Sequence, residues 1–285
     1  MRSFIRFLNI SLVIILLGSL ISLFQGGLYL NLTTFWDNFI HLLSIVFRPW
    51  ELTYQTTSFV NDAEYPVFPT IFEYYGYSFL ILLCGFLLAL FLAIILTVFT
   101  FYLPPRRRNW LIQGSTILES IPDLFIIVVA QLFFIFIYKQ TGILVFQVAG
   151  AFERPFLLPL VTYSILPTIF LYRTLIIIFD EEMNKPYVEL AMGKGLGRLA
   201  LLVKHVFRNG IASLMNHSRM IMAFMLSNLI MLEILFNAYG IMWFIINHPT
   251  YEIATICVLM IFIPLYLLEE LIRKWRSKST GGALE

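Results

Sequence analysis

The sequence predicts an all-α, polytopic membrane protein with six transmembrane helices, and three observations predict it. Hydrophobic residues fill 60% of the 285 positions and charged residues only 13%, against roughly a quarter charged in soluble domains. The chain also holds six apolar runs of about the 20 residues that cross a hydrocarbon core. Lys and Arg, finally, are concentrated in alternate connections between those runs. With 19 Lys+Arg and 17 Asp+Glu, polar surface is too scarce for a soluble enzyme, a disordered chain or a disulfide scaffold. The net charge of +2 gives no footing for nucleic acid, and Cys84 and Cys257 both lie inside apolar runs.

The first span is read at Phe4–Phe24. Its apolar stretch is longer than a signal-peptide core of about 7–15 residues, and Phe24-Gln25 is not a small-residue cleavage site, so it is read as an uncleaved anchor. The others are placed at Tyr75–Leu103, Leu118–Tyr138, Phe156–Phe179, His217–Phe236 and Tyr251–Ile272. Phe79–Phe101 has no charge and inserts unaided, because each Leu or Ile gains roughly 0.3–0.6 kcal/mol near mid-membrane. The fifth span carries Arg219 and Glu233 and needs help from its neighbours. The closing Gly281-Gly282-Ala283-Leu284-Glu285 resembles an expression scar and carries no weight.

Orientation follows from the basic residues. One set of connections carries Arg2, Arg6, Arg106, Arg107, Arg108, Lys185, Lys194, Arg198, Lys204, Arg208, Arg273, Lys274, Arg276 and Lys278. The opposite set has only Arg48, Lys139 and Arg154. Both termini are therefore expected in the cytoplasm, as an even number of spans requires.

Residues 25–73 form the longest outer connection, and it is acidic. Phe39, Leu42, Leu43 and Val46 recur at helical spacing, which predicts a short amphipathic helix. Tyr65-Pro66-Val67-Phe68-Pro69 reads as extended chain. The segment either caps the outer mouth or docks an extracellular partner. Pro104-Pro105-Arg106-Arg107-Arg108 reads as a topology anchor against anionic lipid.

The segment from Asp180 to Asn216 is too long for a turn. Pro186 can open a helix, and Gly193, Gly195 and Gly197 break it. From Arg198, Leu199, Leu202, Val203, Val206 and Phe207 share a face, apart from Lys204, His205 and Arg208. This predicts two short helices along the membrane, joined by a glycine elbow.

At this segment the chain resembles the integral-membrane permeases of bacterial binding-protein-dependent ABC importers, most closely the oligopeptide/dipeptide/nickel branch. Their Glu-Ala-Ala…Gly loop stands here as Glu189-Leu190-Ala191-Met192-Gly193-Lys194-Gly195, with Leu190 replacing the first Ala. The branch pattern continues in Tyr187-Val188, Ala191, Lys194-Gly195-Leu196, His205, Arg208 and Asn209. The family's closing proline is replaced by Gly210-Ile211. Ser120-Ile121-Pro122, Leu158-Pro159, Arg173 and Glu233-Ile234-Leu235-Phe236 with Gly240 match elsewhere, over roughly residues 75–275.

The resemblance implies a type I ABC importer permease fold, a single transmembrane permease domain over 1–285 with a coupling loop at about 180–216. It implies half of a pore for peptides or related small solutes in the bacterial plasma membrane. The partners would be a second permease, identical or homologous, two ABC ATPases and an extracellular solute-binding protein. Tyr187, Glu189, Ala191, Lys194, Gly195, Leu196, His205, Arg208 and Asn209 would form the ATPase-coupling block, with Glu189 and Ala191 shaping its contact face. Residue patterns add one point independently. Gly193-Lys194-Gly195 is followed by Leu rather than by Ser or Thr, so no phosphate-cradling loop stands here, and ATP and Mg are expected on partner chains.

Arg173, Arg219, Glu233, Met222 and Met225 are candidates for the translocation path, since intramembrane charges and soft side chains mark pathways. The alternatives stay open. Arg173 and Arg219 can snorkel to lipid phosphates, Glu233 can reach water, and the methionines can be packing. His41, His205, His217 and His248 are scattered, so neither a metal site nor a cofactor is expected. Glu119 and Asp123, flanking Pro122, are expected to face a subunit interface or the cytoplasm. Export or sensing, or nickel/metal-chelate import, are the alternative tasks. A membrane hydrolase has no catalytic constellation to recommend it.

Overall fold

The computed structural model describes residues 2–22, 32–58, 61–150 and 153–279, and 82% of it is helix. Hydrocarbon dictates that proportion, because a helix satisfies its own backbone where no water can. The expected end of the first span at Phe24 and the tail Gly281–Glu285 lie outside the described residues.

Five helices are long and apolar enough to cross a membrane, and a sixth span results if one bent helix counts as one. They are α1 (Arg2–Ser22), α3 (Ile71–Tyr102), α5 (Asp123–Thr141), α6 (Leu157–Met183), the bent α9 (Phe207–Leu235) and α11 (Tyr251–Ser279). Between them lie α2 (Leu32–Phe47), α4 (Pro105–Glu119), α7 (Pro186–Gly193), α8 (Arg198–Leu201) and α10 (Ile241–Asn247). The chain divides into two compact units, residues 80–238 and the remainder.

In the unit formed by the two chain ends, α1 packs on α2 and α11. Gly18 makes the approach to α11 close, since a Cβ there would stand 2.0 Å from Thr255 Oγ1. Phe7 stacks on Phe262 at 5.7 Å, and the Tyr266 hydroxyl donates to the Ser3 carbonyl at 2.6 Å. The amphipathic helix expected around Phe39–Val46 is α2, with Leu42 and Ile45 buried. The extended stretch before α3 belongs to a hairpin the sequence reading lacked, β1 (Thr53–Ser58) against β2 (Asn61–Pro66), paired from Thr53↔Pro66 to Ser58↔Asn61. Leu52, Val67, Ile71, Ile241 and Phe244 close a core beneath it. The Ser78 hydroxyl accepts the Ile241 amide at 2.7 Å, satisfying a donor at the start of α10.

In the unit spanning 80–238, α6 is the axis, packed by α4, α5 and α9 and buried along most of its length. Thr162, Ser164 and Thr168 are buried polar residues whose hydroxyls donate back to carbonyls of their own helix at 2.7–3.0 Å. That self-satisfaction lets small polar side chains sit in an apolar bundle. Thr100 and Tyr172 join their hydroxyls at 3.0 Å, and Phe101 meets Phe179 at 5.6 Å. Tyr163 donates to the Met225 carbonyl.

Three boundaries differ from expectation. The third span does not begin at Leu118: α4 rises from Pro105, breaks at Ser120-Ile121-Pro122, and α5 starts at Asp123. The proline ends one helix and, extended at the N-cap, opens the next. The fifth span, expected from His217, is the later section of a longer helix. Its helix starts at Phe207 and bends by 57° between Phe207–Met215 and Arg219–Leu235. The second short helix is not separate either, because α8 runs through a π turn at Leu202–Val206 into α9. The side chains of Arg198, Leu199, Val203 and Lys204 lie outside the described set, so the expected amphipathic face is seen only in buried Leu202 and Val206 and half-buried Phe207.

The connection after α5 is clamped to the end of α9. Gly150 donates its amide to Phe236 O and accepts from Asn237 Nδ2, both at 2.8 Å. Gln131 Nε2 donates to Val148 O at 3.1 Å and Leu235 O at 2.9 Å. A Cβ at Gly150 would lie 2.3 Å from the Asn237 carbonyl oxygen, and backbone cannot step aside as a side chain can. Gly150→Ala is therefore expected to destabilise the protein by about 1–3 kcal/mol, the range for overpacking, visible as a lowered Tm in detergent. An unchanged Tm would show that this clamp is not a tight fit.

Candidate functional site

The segment after α6 is built from its sequence upward. Lys185 is extended at the N-cap and Pro186 occupies the first helical position, where a missing amide costs nothing. α7 then lasts two turns and closes through Gly195, whose φ is +77°. Gly195 N–H donates to Met192 O at 2.9 Å and Leu196 N–H to Ala191 O at 3.3 Å. This pair of bonds is a Schellman closure, which needs a left-handed residue at the position Gly195 fills. The expected glycine elbow is thus resolved to one residue.

The eight residues of α7 have two faces. Val188 is fully buried and Ala191 is 7% exposed, so both pack on the chain itself. Leu190 is 68% and Met192 50% exposed, and Glu189, Gly193 and Lys194 are also exposed. Ala191 therefore seats the helix, and the outward surface is Glu189, Leu190 and Met192.

Sequence reasoning missed the residue that fixes this helix. Glu182, in the last turn of α6, is only 5% exposed. It pairs with Lys185 and accepts the Tyr187 hydroxyl at 2.7 Å on Oε2, with the Asn209 side chain also in hydrogen-bonding reach of that hydroxyl. The carboxylate ties α6 to α7, and the Tyr187 hydroxyl extends the link to the start of α9. The signal was present: Asp180-Glu181-Glu182 places three acids at a helix C-terminus, where the macrodipole disfavours them, and so demands partners. Burial, and then the Glu182 contact, raise the Tyr187 pKa above 10.0. Of the remaining block, His205 and Leu196 are half-buried, and Arg208 and Asn209 are exposed.

The charged candidates fall out differently from the sequence reading. Arg173 pairs with Glu119 of α4. Arg108 is more than a topology anchor, since it pairs with Asp180 and lies 4.4 Å from the centre of the Phe101 ring; Arg106 and Arg107 are exposed. Glu233 does not reach water but is fully buried. Arg219 and His217 are exposed, Met222 is half-buried and Met225 fully buried. Asp123, half-buried, is the first residue of α5. It lines, with Thr162, Tyr163, Met225 and Asn228, a chamber of about 20 Å³ beside the α4–α5 break. Among the described residues no group of three or more His, Cys, Asp or Glu could hold a metal.

Apolar helices of spanning length, a broken helix within the bundle, and a glycine-closed helix outside the spans together define a multi-pass membrane protein. The chain belongs to the family of binding-protein-dependent transport system inner membrane components, whose model matches residues 85–279. It is thus a permease subunit of an ABC importer with the type I fold, a multi-pass inner membrane protein that works with an ATPase and a solute-binding protein and is not itself an enzyme. No curated protein matches the chain at a significant level.

Two predictions test this network. Arg173→Glu and Glu119→Arg are each expected to lower Tm, and the double swap to recover about 0.5–3 kcal/mol of coupling in a double-mutant cycle. Additive losses would mean the pair contributes nothing. The raised Tyr187 pKa means its hydroxyl contributes fully below pH 10.0 and loses that contribution as pH rises toward the folded value. Proteolysis around 185–197 should accelerate over that window in the wild type, and Tyr187→Phe should flatten the dependence.

Proposed function

We propose that this permease imports peptides or related small solutes and takes its drive through α7. In this reading Glu189, Leu190 and Met192 enter a groove on a separate ABC ATPase, which binds ATP and Mg and hydrolyses the nucleotide. Two such ATPases, a second permease and an extracellular solute-binding protein complete the complex. Both termini and the 180–216 segment lie in the cytoplasm of a bacterial cell, and residues 25–73 lie outside, all within one permease domain. The match to the oligopeptide branch in Tyr187-Val188, Lys194-Gly195-Leu196 and His205…Arg208-Asn209 supports the solute class.

The observation that carries the coupling role is the division of α7. Exposed apolar side chains on a charged, non-spanning segment are what a partner surface covers. Their seating on Val188, Ala191 and the Glu182 carboxylate would pass displacement to α6 and α9 together, as rigid-body switching requires. Tyr187, Lys194, Gly195, Leu196, His205, Arg208 and Asn209 support that seat rather than make the contact.

Gly195→Pro forces φ to about −65° and removes an amide donor, and Glu189→Lys reverses the charge of the outer face. Both variants should insert normally and lose most solute-stimulated ATP hydrolysis in reconstituted complexes. Hydrolysis at wild-type levels in both would sink the lever. ATP-dependent uptake of a di- to pentapeptide panel into proteoliposomes tests the solute class, and uptake of nickel chelates instead would replace it.

A further inference from the structure

We infer that the outward face of α4 is a docking surface for an anionic phospholipid, with Arg106 and Arg107 receiving its phosphate and Trp110, Ile117 and Leu118 lying along its glycerol and acyl chains. The inference depends neither on the solute nor on the ATPase contact. Of the three consecutive arginines, Arg108 is committed to the fold through Asp180 and the Phe101 ring. Arg106 and Arg107 are exposed, and no hydrogen bond or ion pair joins either guanidinium to another described residue. A guanidinium offers paired donors in the geometry that phosphate oxygens accept.

The order of side chains along the helix matches the order of groups in a lipid. Arg106, Trp110, Gln113 and Ile117 recur at spacings of four, three and four, so they form one strip. Trp110 is 78% and Ile117 71% exposed, and Leu118 beside the strip is exposed too. Charge at one end, an aromatic ring one turn on and aliphatic side chains at the far end follow the succession of phosphate, interface and hydrocarbon. From Arg106 to Ile117 the helix advances roughly 16 Å. The headgroup layer is about 5–8 Å deep, so the strip passes through it into the apolar region.

The direction of that strip is fixed by α6. Arg108, near the start of α4, meets Asp180 near the end of α6. Glu119, at the end of α4, meets Arg173, seven residues further back. α4 therefore runs inward beside a spanning helix, away from its acidic end. Ile177, between the two pairs on α6, is also exposed, as suits a level bathed in hydrocarbon. Basic residues gather in the connections on this side, which is the side of the anionic leaflet. A second copy of the chain in a two-fold contact would set like charges against Arg106 and Arg107, and a soluble ATPase would leave Ile117 and Leu118 uncovered. Lipid is the occupant whose charge and apolarity both fit.

Trp110 supplies the probe. Its emission, taken in each background as the difference made by Trp110→Phe, is measured for the purified permease complex in phosphatidylcholine bilayers. These hold a minor fraction of brominated phosphatidylglycerol or the same fraction of brominated phosphatidylcholine. Quenching should give the anionic lipid an apparent affinity about fivefold higher per arginine. Arg106→Gln and Arg107→Gln should each lose about that factor, and the double variant should bind both lipids alike. Lys139→Gln, exposed near the other end of α5, should keep the preference. Raising NaCl from about 0.1 M to about 1 M, which shortens the Debye length from roughly 10 Å to roughly 3 Å, should weaken the preference in the wild type without any substitution. Equal quenching by the two lipids in the wild type, a preference that survives in the double variant, one lost in Lys139→Gln, or one indifferent to salt would each overturn the site. Absence of quenching by either lipid would show that protein covers this face and would overturn it as well.

Discussion

Everything in this chain answers to one constraint: within hydrocarbon, each backbone amide and carbonyl must find its partner inside the protein. Long helices meet it at once, which is why they dominate. The interesting residues are those where the helix fails to meet it. At Ser120-Ile121-Pro122 the ladder stops and restarts, and at Pro167 it lacks a donor. These two interruptions lie against each other, and between them is the chamber lined by Asp123 and Asn228.

Charge obeys the same economy of partners. Arg108 with Asp180, Arg173 with Glu119, and Lys185 with Glu182 are three pairs joining α6, or the residues just after it, to structures around them. Glu182, buried beside Lys185, is the member whose charge would be costly to leave without its partner, whereas the more exposed members stay solvated. The pairs therefore act as position markers. They set α4 against α6 and the start of α7 against the last turn of α6, while apolar contact supplies the bulk of the cohesion.

Much of this was legible beforehand. Six apolar runs gave the spans because their hydropathy is local, and Pro186 and Gly195 gave the limits of α7 because both act through their own φ. The β1–β2 hairpin escaped because its strands are polar on both faces and show no alternation to read. The extra helix α4 escaped because Arg106, Arg107 and Arg108 dominate its first turn and invite a lipid-anchor reading, whereas the partner of Arg108 lies 72 residues away. Arg173, Glu233 and Asp123 were recognisable as unusual, but which one is paired, buried or lining a chamber depends on the rotation of helices about their axes. That is a property of packing, and composition does not carry it.

The clamp at Gly150 and the bend in α9 occupy opposite ends of the same helix, and together they resemble a beam fixed at one support and jointed at the other. Force applied at the jointed end, near His217, would act on the section before it, whereas residues 235–237 at the other end are held by three hydrogen bonds to Gly150 and Gln131. The 142–150 connection would travel only if the whole fixed end travelled with it.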